Sequence, residues 1–321
     1  MRPRIVMLLA FVIAAVAVGF TGARFTYLPA TPPAVHASLP AAPASYLGVF
    51  ETGSPPSYGP IQEFARAAGA EPNLIGYYSG WAEPFATSFA DSMHSHGVIP
   101  FVQIDPTLAS VAGIADGAYD GYLKLYADSV ADYGHPVVIG FGHEMNAPWY
   151  TWGYGHVSPS TFVAAWRHIV TVFSREGADN VIWLWTIQAD EPSTGPISAW
   201  WPGKQYVKWV GIDGYYSTPS DSFTSVFART IEQVRAFTSK PILLSETAVG
   251  RHDNQFSNIL DLFDGMARYK TLGLVWFDKD LRQQTGDAPW ARQDWRIDNE
   301  LAERAFQSGV HQLTLASTGP H

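Results

Sequence analysis

Cysteine is absent from the 321 residues. That excludes disulfides, thiolate nucleophiles, thiolate-bound zinc and lipoprotein-type acylation. It does not argue against export, because a large domain builds its core without such staples. Charge is also scarce. Only 15% of residues carry it, and 29 acidic residues outnumber 20 basic ones, for a net charge of −9. Binding to a phosphate backbone draws on basic surface that releases counterions, so nucleic acid is not an expected partner. Three motifs are missing as well. The first apolar run is followed by Glu51-Thr52-Gly53-Ser54-Pro55-Pro56, which is not a Gly-rich phosphate loop. His143-Glu144 opens like a zincin helix, but the position four after His143 is Ala147. Ser245 sits in no G-x-S-x-G elbow. His143, Asp105 and Asp278 follow no metal-ligand spacing, so no metal and no cofactor is expected.

Aromatic residues, by contrast, are abundant at 14%, with 12 Trp and 15 Tyr. They fit two readings: flat platforms for sugar rings, or filling for a large core. At the N-terminus, Arg2 and Arg4 precede an apolar run from Ile5 to Phe20. This reads as an export signal over residues 1–23, either cleaved or retained as a membrane anchor. Thr21-Gly22-Ala23 and Val35-His36-Ala37 are both passable cleavage sites. Residues 24–44 carry Pro29, Pro32, Pro33, Pro40 and Pro43 among Ala, Thr and Ser, the composition of an extended linker.

From Tyr46 the chain alternates apolar runs with amphipathic segments. The expected strands are Tyr46–Phe50, Asn73–Tyr78, Val98–Ile104, Val137–Phe141, Val181–Thr186, Trp209–Tyr215, Ile242–Ser245 and Leu272–Phe277. The expected helices are Pro60–Ala68, Pro84–His96, Tyr119–Tyr133, Pro159–Glu176, Phe223–Thr238 and Asn254–Tyr269. Continuous apolar strands alternating with helices indicate a parallel sheet covered on both faces. Eight of them point to an α/β fold, a single (β/α)₈ TIM barrel over residues 45–310. The chain after about Ala305 reads as loosely packed, with residues 311–321 a flexible tail.

In such a barrel chemistry sits at the C-terminal ends of the strands. Those ends hold Trp81 in the second strand's segment, Gln103 and Asp105 in the third, His143 and Glu144 in the fourth, and Trp185 in the fifth. Tyr216 ends the sixth, Glu246 the seventh, and Trp276 with Asp278 the eighth. Glu144 and Glu246 are far apart in sequence, yet the fourth and seventh strands face each other across a barrel mouth. Two carboxyls about 5–5.5 Å apart cleave a glycosidic bond with retention, one as acid and one as nucleophile. Tyr216 is a candidate donor to Glu246, and His143 a candidate support for Glu144. The alternative for each Glu is a structural salt bridge, although basic residues are few at the strand ends.

The run Phe141-Gly142-His143-Glu144-Met145-Asn146-Ala147-Pro148-Trp149-Tyr150-Thr151-Trp152-Gly153 resembles the acid/base segment of glycoside hydrolase family 26. Ile242-Leu243-Leu244-Ser245-Glu246-Thr247 resembles its nucleophile strand. The resemblance implies a (β/α)₈ barrel with retaining chemistry, Glu144 as acid/base and Glu246 as nucleophile. It also implies His143 beside the acid/base, Tyr216 as partner of the nucleophile, and Trp149 and Trp276 as walls of the sugar site. Two positions depart from the family pattern. The third strand ends in Gln103-Ile104-Asp105-Pro106 where the family's mannanases usually carry a Trp-His pair and Asn-Pro, so one sugar-gripping His is missing. Asn146-Ala147 stands where Asn-Gly is usual.

The expected function is therefore hydrolysis of a β-linked polysaccharide of β-mannan or β-glucan type. The expected partner is a polysaccharide or oligosaccharide substrate, met by a secreted or membrane-tethered monomer. A catalytically silent carbohydrate-binding barrel, or a hydrolase of the producer's own envelope glycan, would carry much of the same pattern.

Overall fold

The computed structural model describes Leu39 and residues 46–282 and 293–316. Eight strands run in parallel: β1 (Tyr46–Phe50), β2 (Leu74–Gly80), β3 (Ile99–Asp105), β4 (Val137–Phe141), β5 (Val181–Gln188), β6 (Trp209–Tyr216), β7 (Ile242–Val249) and β8 (Gly273–Phe277). Each pairs with the next, and β8 closes onto β1. Between the strands lie α1 (Tyr58–Ala68), α2 (Thr87–Ser95), α3 (Val111–Ala115), α4 (Asp120–Tyr133), α5 (Pro159–Arg175), α6 (Arg229–Arg235) and α7 (Gln255–Tyr269), and α8 (Glu300–Val310) follows β8. This is the expected (β/α)₈ barrel, and all described residues belong to one compact unit, Pro32–His321. The apolar run Ile5–Phe20 and, Leu39 apart, the Pro-rich stretch lie outside the described residues. Among the described residues no helix is long and apolar enough to cross a membrane.

Two separate cores follow from the strand pleat, which sends successive side chains to opposite faces. The barrel interior holds Tyr46, Leu74, Ile99, Phe101, Val138, Ile182, Leu184, Trp209, Leu243 and Val275. The residues between them point outward and meet the helices, as Val137, Ile139 and Phe141 do in β4. α5 shows how a helix answers this face. Phe162, Ala165, Trp166, Ile169, Val170 and Phe173 are buried at three- and four-residue spacing. Ser158 caps it by accepting from Thr161 N at 3.1 Å, and Pro159 occupies the first turn, where a missing N–H costs nothing.

Above the apolar interior the barrel turns polar. Gln103 Nε2 donates to Thr186 Oγ1 at 2.9 Å, and Ser245 Oγ donates to Asp213 Oδ1 at 2.5 Å. β7 departs from regular register at this height. Gly211 pairs with Leu243 but Asp213 with Glu246, so β7 carries one extra residue there. The same irregularity shows against β8, between Leu244 and Thr247. Such a bulge re-aims the side chains beyond it.

The C-terminal segment is better ordered than its sequence suggested. α8 continues through Val310, with Ala302, Ala305, Phe306, Gly309 and Val310 buried. Asn299 caps it by accepting from Ala302 N at 3.0 Å, and Phe306 packs edge-on against Phe64, Phe263 and Trp276. Beyond it the chain docks as far as Ala316, whose carbonyl accepts from Asn73 Nδ2 at 3.2 Å.

Gly140 faces Gln103 across the β3–β4 pair, where a methyl group would lie 1.8 Å from Gln103 Oε1. Gly140→Ala is therefore expected to displace the amide from Thr186 and destabilise the barrel by about 1–3 kcal/mol. Urea unfolding followed by tryptophan fluorescence measures this, and an unchanged midpoint would contradict the packing described.

Candidate active site

The inward positions at the strand ends enclose one cavity of about 340 Å³ at the barrel mouth. β2 supplies Tyr78, β3 Asp105, β5 Gln188, β6 Tyr215, β7 Glu246 and β8 Phe277. The loop after β4 adds His143, Glu144, Trp149 and Tyr150, and the loop after β5 adds Glu191. The segment after β8 adds Lys279, Leu281 and Trp295.

Glu246 is held by two phenols. Tyr78 Oη donates to Oε2 and Tyr215 Oη donates to Oε1. Burial pushes its pKa up to about 8, against the pull of the Lys279 ammonium. The two phenolic protons favour the ionised form further. Both carboxylate oxygens are thus engaged from the side walls.

Glu144 has different surroundings. It sits just past β4 with a positive φ of 53°, between a backbone N–H bonded to Thr186 O at 3.0 Å and a carbonyl accepting from Ala147 N at 2.9 Å. A non-glycine residue there stores about 1–2 kcal/mol of strain. The turn is pinned by Asn146, which gives its amide to Gln188 O at 2.9 Å and takes Gln188 N at 2.8 Å. Trp149 Nε1 donates to Glu144 Oε2 at 2.6 Å. Burial raises the Glu144 pKa and Asp105 and Glu191 add to it, outweighing His143 and the indole.

His143 lies between Asp105 Oδ1, 2.8 Å from Nδ1, and Tyr150 Oη, 3.1 Å from Nε2. Burial disfavours its charge, but Asp105, Glu144 and Asp213 together raise its pKa to about 9. The contact with Asp105 thus favours its charged form. Below this layer burial and Glu144 push Asp213 well above the usual carboxylate range.

Glu144, Glu246, His143, Trp149 and Asp105 are thus brought together. Five other expected site residues are not at the cavity wall. Tyr216 points outward and donates to Asp261 Oδ2 at 3.1 Å; Tyr215 is the donor to Glu246. Trp276 also points outward, giving its indole N–H to Trp295 O at 2.9 Å, and Phe277 and Trp295 form the wall in its place. Trp185 packs on Trp201 and Phe237, and Trp81 on Tyr119, Tyr122 and Phe141, all outside the barrel. Gln103 lies in the floor beneath, bonded to Thr186. Asp278, weighed above as a metal ligand, instead hydrogen-bonds with Glu51 and accepts from Ile297 N at 2.9 Å.

The rim after β8 is braced by ion pairs. Asp294 meets Arg251, Arg282 and Arg296, and Asp280 meets Arg282 and Arg296. Trp295 N donates to Lys279 O at 3.0 Å, joining the two halves of this rim behind the cavity wall.

A closed parallel barrel with acidic and aromatic side chains converging on its C-terminal mouth is the build of a (β/α)₈ barrel enzyme. The chain belongs to glycosyl hydrolase family 26, whose model matches residues 94–261. It is 28% identical over 264 residues to endoglucanase H of Acetivibrio thermocellus, covering 77% of this chain and 28% of that one. It is 22% identical over 205 residues to β-1,3-xylanase TXYA of a Vibrio species, covering 60% of this chain and 43% of that one. The chain therefore spans less than half the length of these curated relatives. Among solved structures, an endo-β-1,4-mannanase double mutant from Cellulomonas fimi shares the fold, with a TM-score of 0.66 at 16% identity over 90% of this chain and 78% of that one.

The two adjacent tyrosines give a clean contrast. Losing a hydrogen bond to a charged acceptor costs about 1.5–3 kcal/mol. Tyr215→Phe is thus expected to cut kcat/KM on a β-glycan about 10- to 100-fold. Tyr216→Phe is expected to leave kcat/KM alone and to lower stability. Kinetics and urea melts on both variants decide it, and the reverse pattern would overturn the placement of Tyr215.

Proposed function

We propose that this chain hydrolyses a β-linked polysaccharide of the β-mannan or β-glucan type with retention, Glu246 acting as nucleophile and Glu144 as acid/base. One observation carries the reading: two carboxyls line a single cavity in opposite settings. Glu246 accepts two phenolic protons and faces a lysine, whereas Glu144 has a single indole donor and is pushed upward by burial and neighbouring acids.

In this reading Glu246 attacks the anomeric carbon while Glu144 protonates the departing oxygen. The indole of Trp149 already donates to Oε2, so the proton of the acid belongs on Oε1. Glycosylation of Glu246 removes its negative charge from the cavity. That lowers the pKa of Glu144, which then takes a proton from the incoming water. His143 holds its charge between Asp105 and Tyr150 and keeps the β3 and β4 ends in register. Endo action and the sugar class draw support from the relatives, named for glucan, β-1,3-xylan and mannan cleavage.

Glu246→Ala is expected to abolish turnover, and Glu144→Ala to lower it about 10²- to 10⁴-fold. Proton NMR of the first-formed product should show the β-anomer, and digestion of mannan, mixed-linkage glucan and β-1,3-xylan read by mass should give oligosaccharides. Full activity in either variant, or an α-anomer formed first, would sink the reading.

We further infer that the protein works outside the cytoplasm. Support comes from Arg2 and Arg4 ahead of Ile5–Phe20 and from the Pro-rich stretch that follows. Fractionation of the producing cell is expected to place it in the membrane with its N-terminus intact, or outside with a terminus after Ala23 or Ala37. Recovery in the cytoplasm alone would contradict this.

A further inference from the structure

We propose that Lys279 is a positioning residue for the nucleophile: its ammonium, held against the rings of Tyr78 and Phe277, is the counter-charge that keeps Glu246 a carboxylate and Tyr78 in its donating pose. The proposal rests on the two-glutamate reading given above.

The geometry comes first. Lys279 lines the same cavity as Glu246. Its Nζ lies 4.9 Å from the centre of the Phe277 ring and 5.3 Å from that of Tyr78, within cation–π range of both. Tyr78 is the phenol that donates to Glu246 Oε2. A cation over its ring face therefore fixes the ring and strengthens the O–H as a donor. The backbone of Lys279 is fixed too, its carbonyl accepting from Trp295 N at 3.0 Å.

Charge accounting points the same way. Among the described residues, the arginines of this rim, Arg251, Arg282 and Arg296, each pair with Asp280, Asp294 or Asp298. Among the described residues Lys279 has no such ion pair. His143, the other cation at the cavity, is already matched by Asp105 at 2.8 Å. That leaves the ammonium as the cation matched to Glu246. The groups facing this pair are Glu51 just past β1, Tyr78 on β2, Tyr215 on β6 and Asp278 just past β8. Glu51 is the one acid that could compete for Lys279. Its carboxyl is already engaged, accepting from Thr52 N at 3.1 Å and sharing a hydrogen bond with Asp278. When Glu246 becomes an ester, the two rings still solvate the ammonium, so the cavity does not strand a bare cation.

The test is kcat/KM against pH on a neutral β-glycan for the wild type, Lys279→Met, Lys279→Gln and Lys279→Arg, with Glu246→Ala beside them. The acid limb reports ionisation of the free nucleophile. Removing a nearby cation raises that pKa, so the limb of the Met and Gln variants is expected to move to higher pH by about one unit or more. Below the limb each unit reads as about a tenfold loss. Arg should restore the limb. Gln serves where Met fails to fold, as judged by circular dichroism. An acid limb unmoved in the neutral variants overturns the proposal, even if activity falls at every pH. So does a change in KM alone, or a loss confined to carboxylated glycans, which would make the ammonium a grip on sugar. Full activity in Glu246→Ala would instead bring down the two-glutamate reading, independently of the limb.

Discussion

Closing eight parallel strands into a barrel leaves each side chain two directions, into the interior or out toward the helices. Everything at the mouth depends on that alternation. In β6, Trp209, Gly211, Asp213 and Tyr215 share the inward face, while Val210, Ile212 and Tyr216 share the outward one. β7 would obey the same count and turn Glu246 away from the cavity, because Leu243 and Ser245 already face inward. The single extra residue between Leu244 and Thr247 breaks the count where it is needed. Ser245 then reaches Asp213 in the floor, and Glu246, its direct neighbour, reaches the cavity above.

Once that geometry is set, the electrostatics follow from burial. An acid taken from water either finds donors or takes a proton. Glu246 finds donors in two phenols and an ammonium. Burial pushes Asp213 and Glu144 toward the protonated form. Asp105 meets the imidazolium of His143. Each acid in the group thus has a named partner or is pushed upward by burial. The strain at Glu144 fits this picture. Its left-handed backbone is held from both sides by Thr186 and Ala147, which fixes the acid against a cavity wall that solvent alone would let it leave.

The sequence made the barrel legible because its strands are continuous apolar runs alternating with amphipathic helices, the pattern of a parallel sheet covered on both faces. The two glutamates and His143 were legible from strand ends and from the family resemblance. The misplaced residues fail for one common reason. Tyr216 and Trp276 are implied by the family resemblance, and Trp185 and Trp81 are large aromatics near strand ends; none of the four keeps strand parity with a buried inward residue. Starting from Trp209 in β6, an even step reaches Tyr215 and never Tyr216; starting from Val275 in β8, it reaches Phe277 and never Trp276. The same count from Ile182 in β5 leads to Gln188 and passes over Trp185. The β7 bulge has no such signature, and parity alone would have turned Glu246 outward. α8 was underestimated because its apolar face is built of small residues, Ala302, Ala305 and Gly309, around a single Phe306.

The outward tryptophans are not idle for being misplaced. Trp276 fills the gap between β8 and α8, edge-on to Phe306, and spends its indole N–H on Trp295 O. Trp295 in turn forms cavity wall and donates its own backbone N–H to Lys279. A residue in the outer core therefore sets the height of the wall that carries the ammonium. The aspartate–arginine pairs around Asp294 brace the same strip from the solvent side. Such pairs are weak singly, but a network that closes on one buried carboxylate holds its backbone in one place. The eighth-strand rim is thereby a rigid part of the cavity, built from one tryptophan behind, one in front and a charge lattice outside.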